Sequence, residues 1–322
     1  MGGTRWSEDH YTKRETARTS RGAKSAFEYH DSLRDSGKDL VVHPTLDPQH
    51  RNKIGELIRE SLDSETHPDS RAVVVLFDVT ASMCDNPPIF QKHLPKLMSL
   101  LIDRGFLDDP HVLLGAIGDA HGDEIPLQIG QFEAGVEIDD ALTNLVLEGG
   151  GGPGTEESYE LPIWFFANYS RMDCLNKRQK KGYFFIIGDE SPYMTVNRRQ
   201  VEKLFGVKLQ VNAPLSDVVK KLQEQYECFY IQPSGTAHWR EEKVLAPWRE
   251  LFGQNVLLLN DPKAICELIA SQIGVCEGKT TVEKVETELA EEVSKETIDS
   301  VMAALRRAEL EKKVDKPLNT LA

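Results

Sequence analysis

From residue 71 onward the sequence alternates short, almost wholly apolar runs with longer amphipathic segments, and this alternation constrains the fold more than any other feature. Short apolar runs without a polar-apolar alternation are typical of strands that are covered on both faces. These runs lie at residues 72–77, 112–117, 183–187, 228–232 and 255–259. Helical patterns separate them, and residues 126–132 alternate as an edge strand does. The sequence therefore predicts an α/β, doubly wound, Rossmann-like fold with a mostly parallel sheet flanked by helices.

The remaining sequence divides into three segments around this core, which we place at residues 71–276. Residues 1–46 are polar and charged without apolar periodicity, which predicts a flexible N-terminal arm. Residues 47–70 read as a short helix (47–62) followed by a linker. Residues 277–322 carry two narrow apolar stripes at helical spacing among charges, which predicts an amphipathic helical tail. Such a tail must pack on the domain, on another copy of the chain or on a partner.

Composition narrows the functional classes. A formal net charge of −14 in 322 residues argues against a sequence-independent nucleic-acid binder, which needs a basic face. The five cysteines are scattered without a CxxC pair, so a zinc-cysteine site or a disulfide framework is not expected, and a reducing compartment is the simplest reading. Neither a leader-like apolar segment at the start nor a run of 18 apolar residues is present in the sequence. We expect a cytoplasmic protein without a membrane role.

Oxygen-bearing side chains follow two of the predicted strands and one glycine-rich loop. Asp78, Thr80 and Ser82 come directly after the 72–77 run, Thr155 ends the loop 149–154, and Asp189 follows the 183–187 run. In a doubly wound sheet these positions meet beyond the carboxyl ends of the strands. Carboxylates and hydroxyls are hard ligands, which suit Mg²⁺ or Mn²⁺. The sequence therefore predicts a magnesium or manganese site with an open coordination position.

We interpret the acidic residues outside these five candidate ligands differently. Asp119 follows the strand at 112–117 and could accept a hydrogen bond from a metal-bound water, although a polar turn explains it equally well. Glu156 and Glu157 are expected in the first turn of a helix over 156–169, where acidic groups favour the helix dipole.

The five candidate ligands resemble the metal-ion-dependent adhesion site of a von Willebrand factor A domain, whose pattern is DxSxS, a Thr after a glycine-rich loop, and an Asp. The resemblance covers residues 71–276. Thr80 stands for the usual Ser, Ala81 for a common Gly, and residues 188–190 read Gly-Asp-Glu instead of Thr-Asp-Gly. The resemblance implies that Asp78, Thr80, Ser82, Thr155 and Asp189 hold Mg²⁺ directly or through water, and that the site binds a partner rather than catalysing a reaction.

Three functional readings follow. The first is an adaptor or assembly component whose cation binds an acidic side chain of a protein partner, such as an AAA+ ATPase or a multi-protein assembly, with self-association through the tail as a further option. The second is a structural subunit of a larger assembly, for example a phage or bacterial particle, in which the ion only stiffens the loops; the protein would then be virion-associated if phage-encoded.

The third reading is a phosphohydrolase of the haloacid-dehalogenase type, which also places an Asp at the end of a first strand. That chemistry needs a second acid where this chain has Thr80, and a hydroxyl protonates a leaving group poorly. Nucleotide binding by the glycine-rich loop is disfavoured as well, because Gly154 stands where a phosphate-binding loop has Lys. We therefore expect no enzymatic activity.

Overall fold

The computed structural model describes residues 8–23, 25, 27–94, 96–152, 154–290 and 292–314. Strands occupy a small part of this chain and most of them are short. Numbered in chain order they are β1 (Arg59–Ser61), β2 (Arg71–Asp78), β3 (Pro110–Ile117), β4 (Leu127–Ile129), β5 (Glu156–Glu157), β6 (Ser170–Met172), β7 (Gly182–Ile187), β8 (Ser191–Pro192), β9 (Thr195–Val196), β10 (Ala213–Pro214), β11 (Tyr226–Pro233) and β12 (Val256–Leu259).

Helices connect these strands and form both ends of the described chain. They are α1 (Glu8–Ser20), α2 (Glu28–Asp35), α3 (Asn86–His93), α4 (Lys96–Asp103), α5 (Ile138–Asn144), α6 (Glu160–Asn168), α7 (Asp173–Arg178), α8 (Arg198–Phe205), α9 (Leu215–Gln223), α10 (Glu242–Phe252), α11 (Ile265–Cys276), α12 (Val282–Leu289) and α13 (Lys295–Val314). Two 3₁₀ turns, Ala81–Met83 and Pro262–Ala264, follow β2 and β12.

The central sheet has the strand order β12-β11-β7-β2-β3-β4. All of its neighbours pair in parallel except β4, which pairs antiparallel with β3 at the edge. The chain builds outward from β2 through β3 to β4 and then returns to the other side of β2 with β7. The strand order therefore reverses between β2 and β7. This confirms the predicted doubly wound, mostly parallel fold.

The strand β2 shows how the sheet separates two apolar layers. Alternate side chains of a strand point to opposite faces, so a strand buried on both faces must be apolar throughout. Val73, Val75 and Phe77 join one core cluster, while Ala72, Val74 and Leu76 join the other. Helices α3, α4, α5 and α11 to α13 cover the first face, and α6 and α8 to α10 cover the second. This explains why the apolar run at 72–77 has no polar interruption.

Within the N-terminal segment, residues 8–20 and 28–35 form the helices α1 and α2, and the segment contacts the body where a flexible arm was expected. Arg18 is buried and donates to Asp139 Oδ1 at 2.8 Å, and Arg14 donates to the carbonyl of Val136 at 2.9 Å. Phe27 lies in the main core, at 3% exposure. Composition misled the prediction because the segment is held by ion pairs and a few apolar contacts rather than by an apolar stripe. Residues 1–7 of this segment, Trp6 among them, lie outside the described residues.

The helix expected over residues 47–62 is wrong, because a turn and a short strand take its place. The side chain of Asn52 accepts from the backbone N–H of Ile54 and of Glu56, at 3.2 and 2.9 Å. Such local side-chain bonds compete with helix formation. Gly55 completes the turn at a φ of 84°, and Ile54 is 74% exposed, so the apparent apolar stripe does not form one face. The segment ends in β1, which pairs in parallel with β6.

The tail forms α12 and α13, and both pack on the chain's own domain. Val282, Val285 and Leu289 of α12 and Val301 and Leu305 of α13 are buried in the main core cluster. The apolar stripes that suggested self-association are thus covered within the chain. In the part of the chain that the structure describes, no helix is both long and apolar enough to pass through a lipid bilayer.

The segment that ends in β1 is attached to the sheet by the buried cation Arg59, which has no exposed surface. Its guanidinium donates to the carbonyls of Gly130, His50, Asp47 and Ile129 at 2.8, 2.9, 3.1 and 3.3 Å, and lies 5.2 Å from the ring centre of Phe165. Burial lowers the pKa of Arg59 to about 10, so it remains charged at neutral pH.

We predict that Arg59→Lys destabilises the fold, because an ammonium group cannot reproduce a planar fork to four carbonyls. Urea unfolding should show a loss of about 2–4 kcal/mol, as expected when buried hydrogen bonds to a charged group are left incomplete. Arg51→Lys is the matched control, since Arg51 is exposed and its guanidinium donates to the carbonyl of Gly55. Equal stabilities of the two variants would contradict this assignment.

Candidate metal centre

Two acidic residues meet where the strand order reverses. The strand β2 ends at Asp78 and β7 ends at Ile187, and the parallel pairing places Phe77 beside Ile187. Asp189 therefore leaves the sheet next to Asp78, in the crevice where doubly wound folds bind ligands. One carboxylate oxygen each of Asp78, Asp189 and Glu190 lies within 4.8 Å of the other two, and all three residues are buried.

A chain of hydrogen bonds joins these carboxylates through the two predicted hydroxyls. Thr80 Oγ1 donates to Asp78 Oδ1 at 2.6 Å, and the backbone N–H of Thr80 donates to the same oxygen at 2.7 Å. Ser82 Oγ lies 3.0 Å from Thr80 Oγ1 and 2.8 Å from Asp189 Oδ1, to which it donates. The structure therefore brings four of the five predicted ligands, Asp78, Thr80, Ser82 and Asp189, into one cluster.

Aromatic side chains below the cluster fix the loop at residues 188–190. The Tyr159 hydroxyl donates to Asp78 Oδ2 at 2.5 Å, and Tyr230 donates to the carbonyl of Gly188 at 2.9 Å. Trp248 Nε1 donates to the carbonyl of Glu190 at 2.8 Å. A Cβ at Gly188 would overlap the Tyr159 hydroxyl, so only glycine allows this close approach. The departure from Thr at residue 188 thus follows from the position of Tyr159.

The fifth predicted ligand, Thr155, is placed differently. Its carbonyl accepts from the backbone N–H of Ser191 at 2.9 Å. None of the hydrogen bonds described for the cluster involves its hydroxyl. The glycine-rich loop that precedes it is nevertheless docked on the site, because Ala81 donates to the carbonyl of Gly150 at 2.9 Å and Gly151 donates to Asp123 Oδ1 at 2.8 Å.

Asp119 lies at the same edge of the sheet and is fully buried. Its Oδ1 accepts from the Ser158 hydroxyl at 2.8 Å, and its backbone N–H donates to Asp123 Oδ2 at 2.7 Å. These contacts tie the loop after β3 to the segment between β5 and α6. The structure gives Asp119 the role of fixing this segment, beside the proposed contact with a metal-bound water.

Glu157 is a fourth acidic residue of the cluster. The sequence predicted it in the first turn of a helix. The helix expected from residue 156 begins at Glu160 instead, because Glu156 and Glu157 form β5 and pair with Ser191 and Pro192 of β8. Glu157 is 2% exposed, and its Oε2 has no hydrogen-bond partner among the described residues. The pairing therefore turns Glu157 toward the crevice.

The carboxyl groups raise one another's proton affinity. Burial first, then the charge of Asp78, and then the hydrogen bond and charge of Glu190 raise the pKa of Glu157 well above its usual range. Burial also raises the pKa of Asp78 to about 7, against the hydrogen bonds from Thr80 and Tyr159, and raises the pKa of Glu190. His238 lies beside the cluster, with its backbone N–H donating to Asp189 Oδ2 at 3.1 Å.

This donor set fits a divalent cation. It consists of carboxylate and hydroxyl oxygens, the ligands of Mg²⁺ and Mn²⁺, and a cation there would offset charge that the protein otherwise meets with protons. Glu190 and Glu157 add two carboxyl groups to the two predicted ones, which gives a more anionic site than expected. The sequence indicated Glu190 as a possible member of the site, because it directly follows Asp189. Glu157 and Tyr159 had no signal, because their orientation depends on the pairing of β5 with β8.

Comparison with known proteins gives structural alignments of low sequence identity and low TM-score. No protein-family model matches the chain, and no curated protein matches it. Among solved structures, a pilus adhesin, SpaC of Lactobacillus rhamnosus GG, aligns with a TM-score of 0.43 at 10% identity over 66% of this chain and 31% of the adhesin. Proximal thread matrix protein 1 of the mussel byssus aligns at 0.38 and 11%, over 66% and 47%.

A von Willebrand factor type A protein from Catenulispora acidiphila aligns with a TM-score of 0.38 at 13% identity, over 66% of this chain and 43% of that protein. The chain thus spans less than half the length of these three proteins. Its fold assignment rests on its own strand order and register.

We predict that the metal-free protein loses stability as pH rises. A carboxyl whose pKa is 3.8 unfolded and about 7 folded stabilises the fold below pH 3.8, and this contribution is lost as pH rises through 7. For Asp78 alone the full effect is about 4 kcal/mol. Urea unfolding in EDTA between pH 5 and pH 8 should record about 2–3 kcal/mol of this loss, because the rest falls below pH 5. Asp78→Asn, which cannot titrate, should show a shallower fall. A fall of the same steepness in the variant would exclude Asp78 as the cause.

Proposed function

We propose that this chain is a metal-dependent protein-interaction module. In this proposal Mg²⁺ or Mn²⁺ is held by Asp78, Ser82 and Asp189, with Thr80 and Thr155 contributing directly or through water, and an open position takes a carboxylate of a partner protein. The observation that carries the proposal is the convergence of Asp78, Ser82 and Asp189 at the reversal point of the sheet.

Accessibility supports a binding role at one side of the cluster. Asp78 and Asp189 have no exposed surface, whereas Ser82 is half-buried and its neighbours Ala81 and Cys84 are exposed. A partner would therefore approach over the 3₁₀ turn that follows β2. An acidic side chain is the chemistry that an oxygen-ligated, incompletely neutralised cation accepts. Partners of the proposed kind are an AAA+ ATPase or another component of a multi-protein assembly.

The number of carboxyl groups favours a second candidate, a structural subunit whose ion stiffens the loops. If Glu190 and Glu157 both ligate the cation as anions, four carboxylates surround it and little positive charge remains for a partner. The cation would then join the loops after β2 and β7 to β5 without an open position. Glu157 is thus the residue that distinguishes the two candidates.

The geometry does not support a phosphohydrolase. A nucleophilic carboxylate must reach its substrate, but Asp78 has no exposed surface and its two oxygens accept from Thr80 and Tyr159. Thr80 cannot act as an efficient general acid. We expect no phosphatase turnover with Mg²⁺, and turnover that disappears in Asp78→Asn would overturn this part of the proposal.

We predict that Mn²⁺ bound to the chain keeps an exchangeable water, which acetate or a short acidic peptide displaces. Water-proton relaxation measures this, since an open coordination position gives a fast-exchanging water. Relaxivity should rise on Mn²⁺ binding and fall when the carboxylate probe is added. Asp78→Asn should weaken Mn²⁺ binding at least tenfold, and Asp217→Asn, at an exposed helix position, should leave it unchanged. Bound Mn²⁺ without an exchangeable water would favour the structural ion.

A second prediction concerns Glu157→Gln, which mimics the protonated form favoured by its raised pKa. If Glu157 only donates a proton to its neighbours, the variant should bind Mn²⁺ within about threefold of the wild type at neutral pH. If Glu157 ligates the ion as a carboxylate, removing its charge should weaken binding about tenfold or more, or about 1.4 kcal/mol. The interaction module predicts the first outcome and the structural subunit predicts the second.

A further inference from the structure

A second cluster of side chains that can ligate a metal lies at the amino-terminal ends of β2 and β3, opposite the candidate metal centre. Asp109 directly precedes β3, His111 is the second residue of that strand, and His67 lies in the linker before β2. The register pairs Ala72 with His111, at the start of both strands. Asp78 ends the same strand β2, about 20 Å away at the usual rise of a strand. The two clusters are therefore separate.

The three side chains converge. One potential ligand atom from each of His67, Asp109 and His111 lies within 4.8 Å of the other two. His67 Nδ1 is 2.6 Å from Asp109 Oδ1, and the two imidazole rings are 5.5 Å apart at an angle of 78°. His67 is 4% exposed and His111 is fully buried. Both imidazoles are therefore held with little solvent around them, whereas Asp109 is partly exposed.

Two buried nitrogens in this cluster are left without a partner. His67 Nε2 and His111 Nε2 have no hydrogen-bond partner in the described parts of the chain. Leaving a buried polar nitrogen unpaired costs free energy, so native proteins rarely do so without a reason. The other nitrogen of His111, Nδ1, lies 3.2 Å from Ser61 Oγ, which fixes the ring. Metal-bound histidines are oriented in the same manner by a hydrogen bond at their second nitrogen.

Asp109 supplies a carboxyl group that faces the cluster. Nearby Asp63 is occupied by Arg178 at 2.8 Å and Lys177 at 3.1 Å. Asp109 Oδ2 accepts from the backbone N–H of Asp69 at 3.3 Å, and its Oδ1 faces His67. Two imidazoles and one carboxylate are a donor set for Zn²⁺ rather than for Mg²⁺ or Ca²⁺, which take oxygen ligands.

A cavity of about 270 Å³ gives access to the cluster. His67, Pro68, Asp109 and Ala134 are among its lining residues. Zinc sites with three protein ligands keep a fourth position for water, and this cavity supplies the room for one.

We propose that His67, Asp109 and His111 bind one Zn²⁺, with a fourth position open to the cavity. The ion would join the linker at His67 to the first residues of β3. The imidazoles and the carboxylate would bind the ion, and these bonds would replace the close contact between His67 and Asp109. The site is independent of the proposed magnesium centre, and its ligand class differs from that centre's.

Cobalt titration of the full chain tests this proposal, because Co²⁺ in a four- or five-coordinate nitrogen-oxygen site absorbs visible light. In the presence of excess Mg²⁺, one equivalent of Co²⁺ should produce this absorption, and one equivalent of Zn²⁺ should remove it. His111→Asn and Asp109→Asn should each lose the absorption. His43→Gln, which replaces a half-buried histidine outside both clusters, and Asp78→Asn should keep it.

Stability provides a second readout that holds even if one variant folds poorly. Zn²⁺ should raise the melting temperature of the wild type and of Cys84→Ser, in which an exposed thiol is removed, but not that of His67→Gln. The proposal is overturned if no one-equivalent absorption develops in the wild type. It is also overturned if the absorption persists in folded Asp109→Asn, or if an intense thiolate-to-cobalt band shows that cysteine holds the ion.

Discussion

The parallel pairing of β2 with β7 is the interaction on which the rest of the site depends. It sets Phe77 beside Ile187, so that Asp78 and Asp189 leave the sheet next to each other at the point where the strand order reverses. The apolar layers on both faces hold that register, because a shift by one residue would move the side chains of β2 from one apolar layer into the other. The loops then complete the cluster through Ser82, Tyr159 and Glu190.

The resulting crevice gathers more acidic groups than the fold can leave fully ionised without compensation. Burial raises the pKa of Asp78, Glu157 and Glu190, so protons meet part of the negative charge in the metal-free chain. In the proposed function a divalent cation would replace those protons, so metal affinity would depend on pH and binding would be coupled to the stability of the loops. The side chains of Tyr159, Tyr230 and Trp248 pack against one another and keep water away from the carboxyl groups. The raised pKa values of the carboxyl groups follow from that burial.

The sequence predicted the sheet well because buried strands carry their signal locally, as the run at 72–77 does. Four members of the cluster were also readable, since Asp78, Thr80, Ser82 and Asp189 directly follow such strands. Glu157 was not, because its direction depends on pairing with Pro192 across the chain. The helix predicted over residues 47–62 failed for a similar reason. Its apolar spacing resembled a helix, but Asn52 and Gly55 form a turn, and Arg59 bonds the distant carbonyls of Ile129 and Gly130 at the end of β4.

Calorimetry of Mg²⁺ binding in two buffers of different ionisation enthalpy tests the central claim most directly, because it counts both the ions bound and the protons released. The account predicts one Mg²⁺ per chain, with release of protons near pH 6.5 that falls away in Asp78→Asn together with the binding itself. Mg²⁺ binding that is absent from the wild type, or that persists at full strength in both Asp78→Asn and Asp189→Asn, would contradict it.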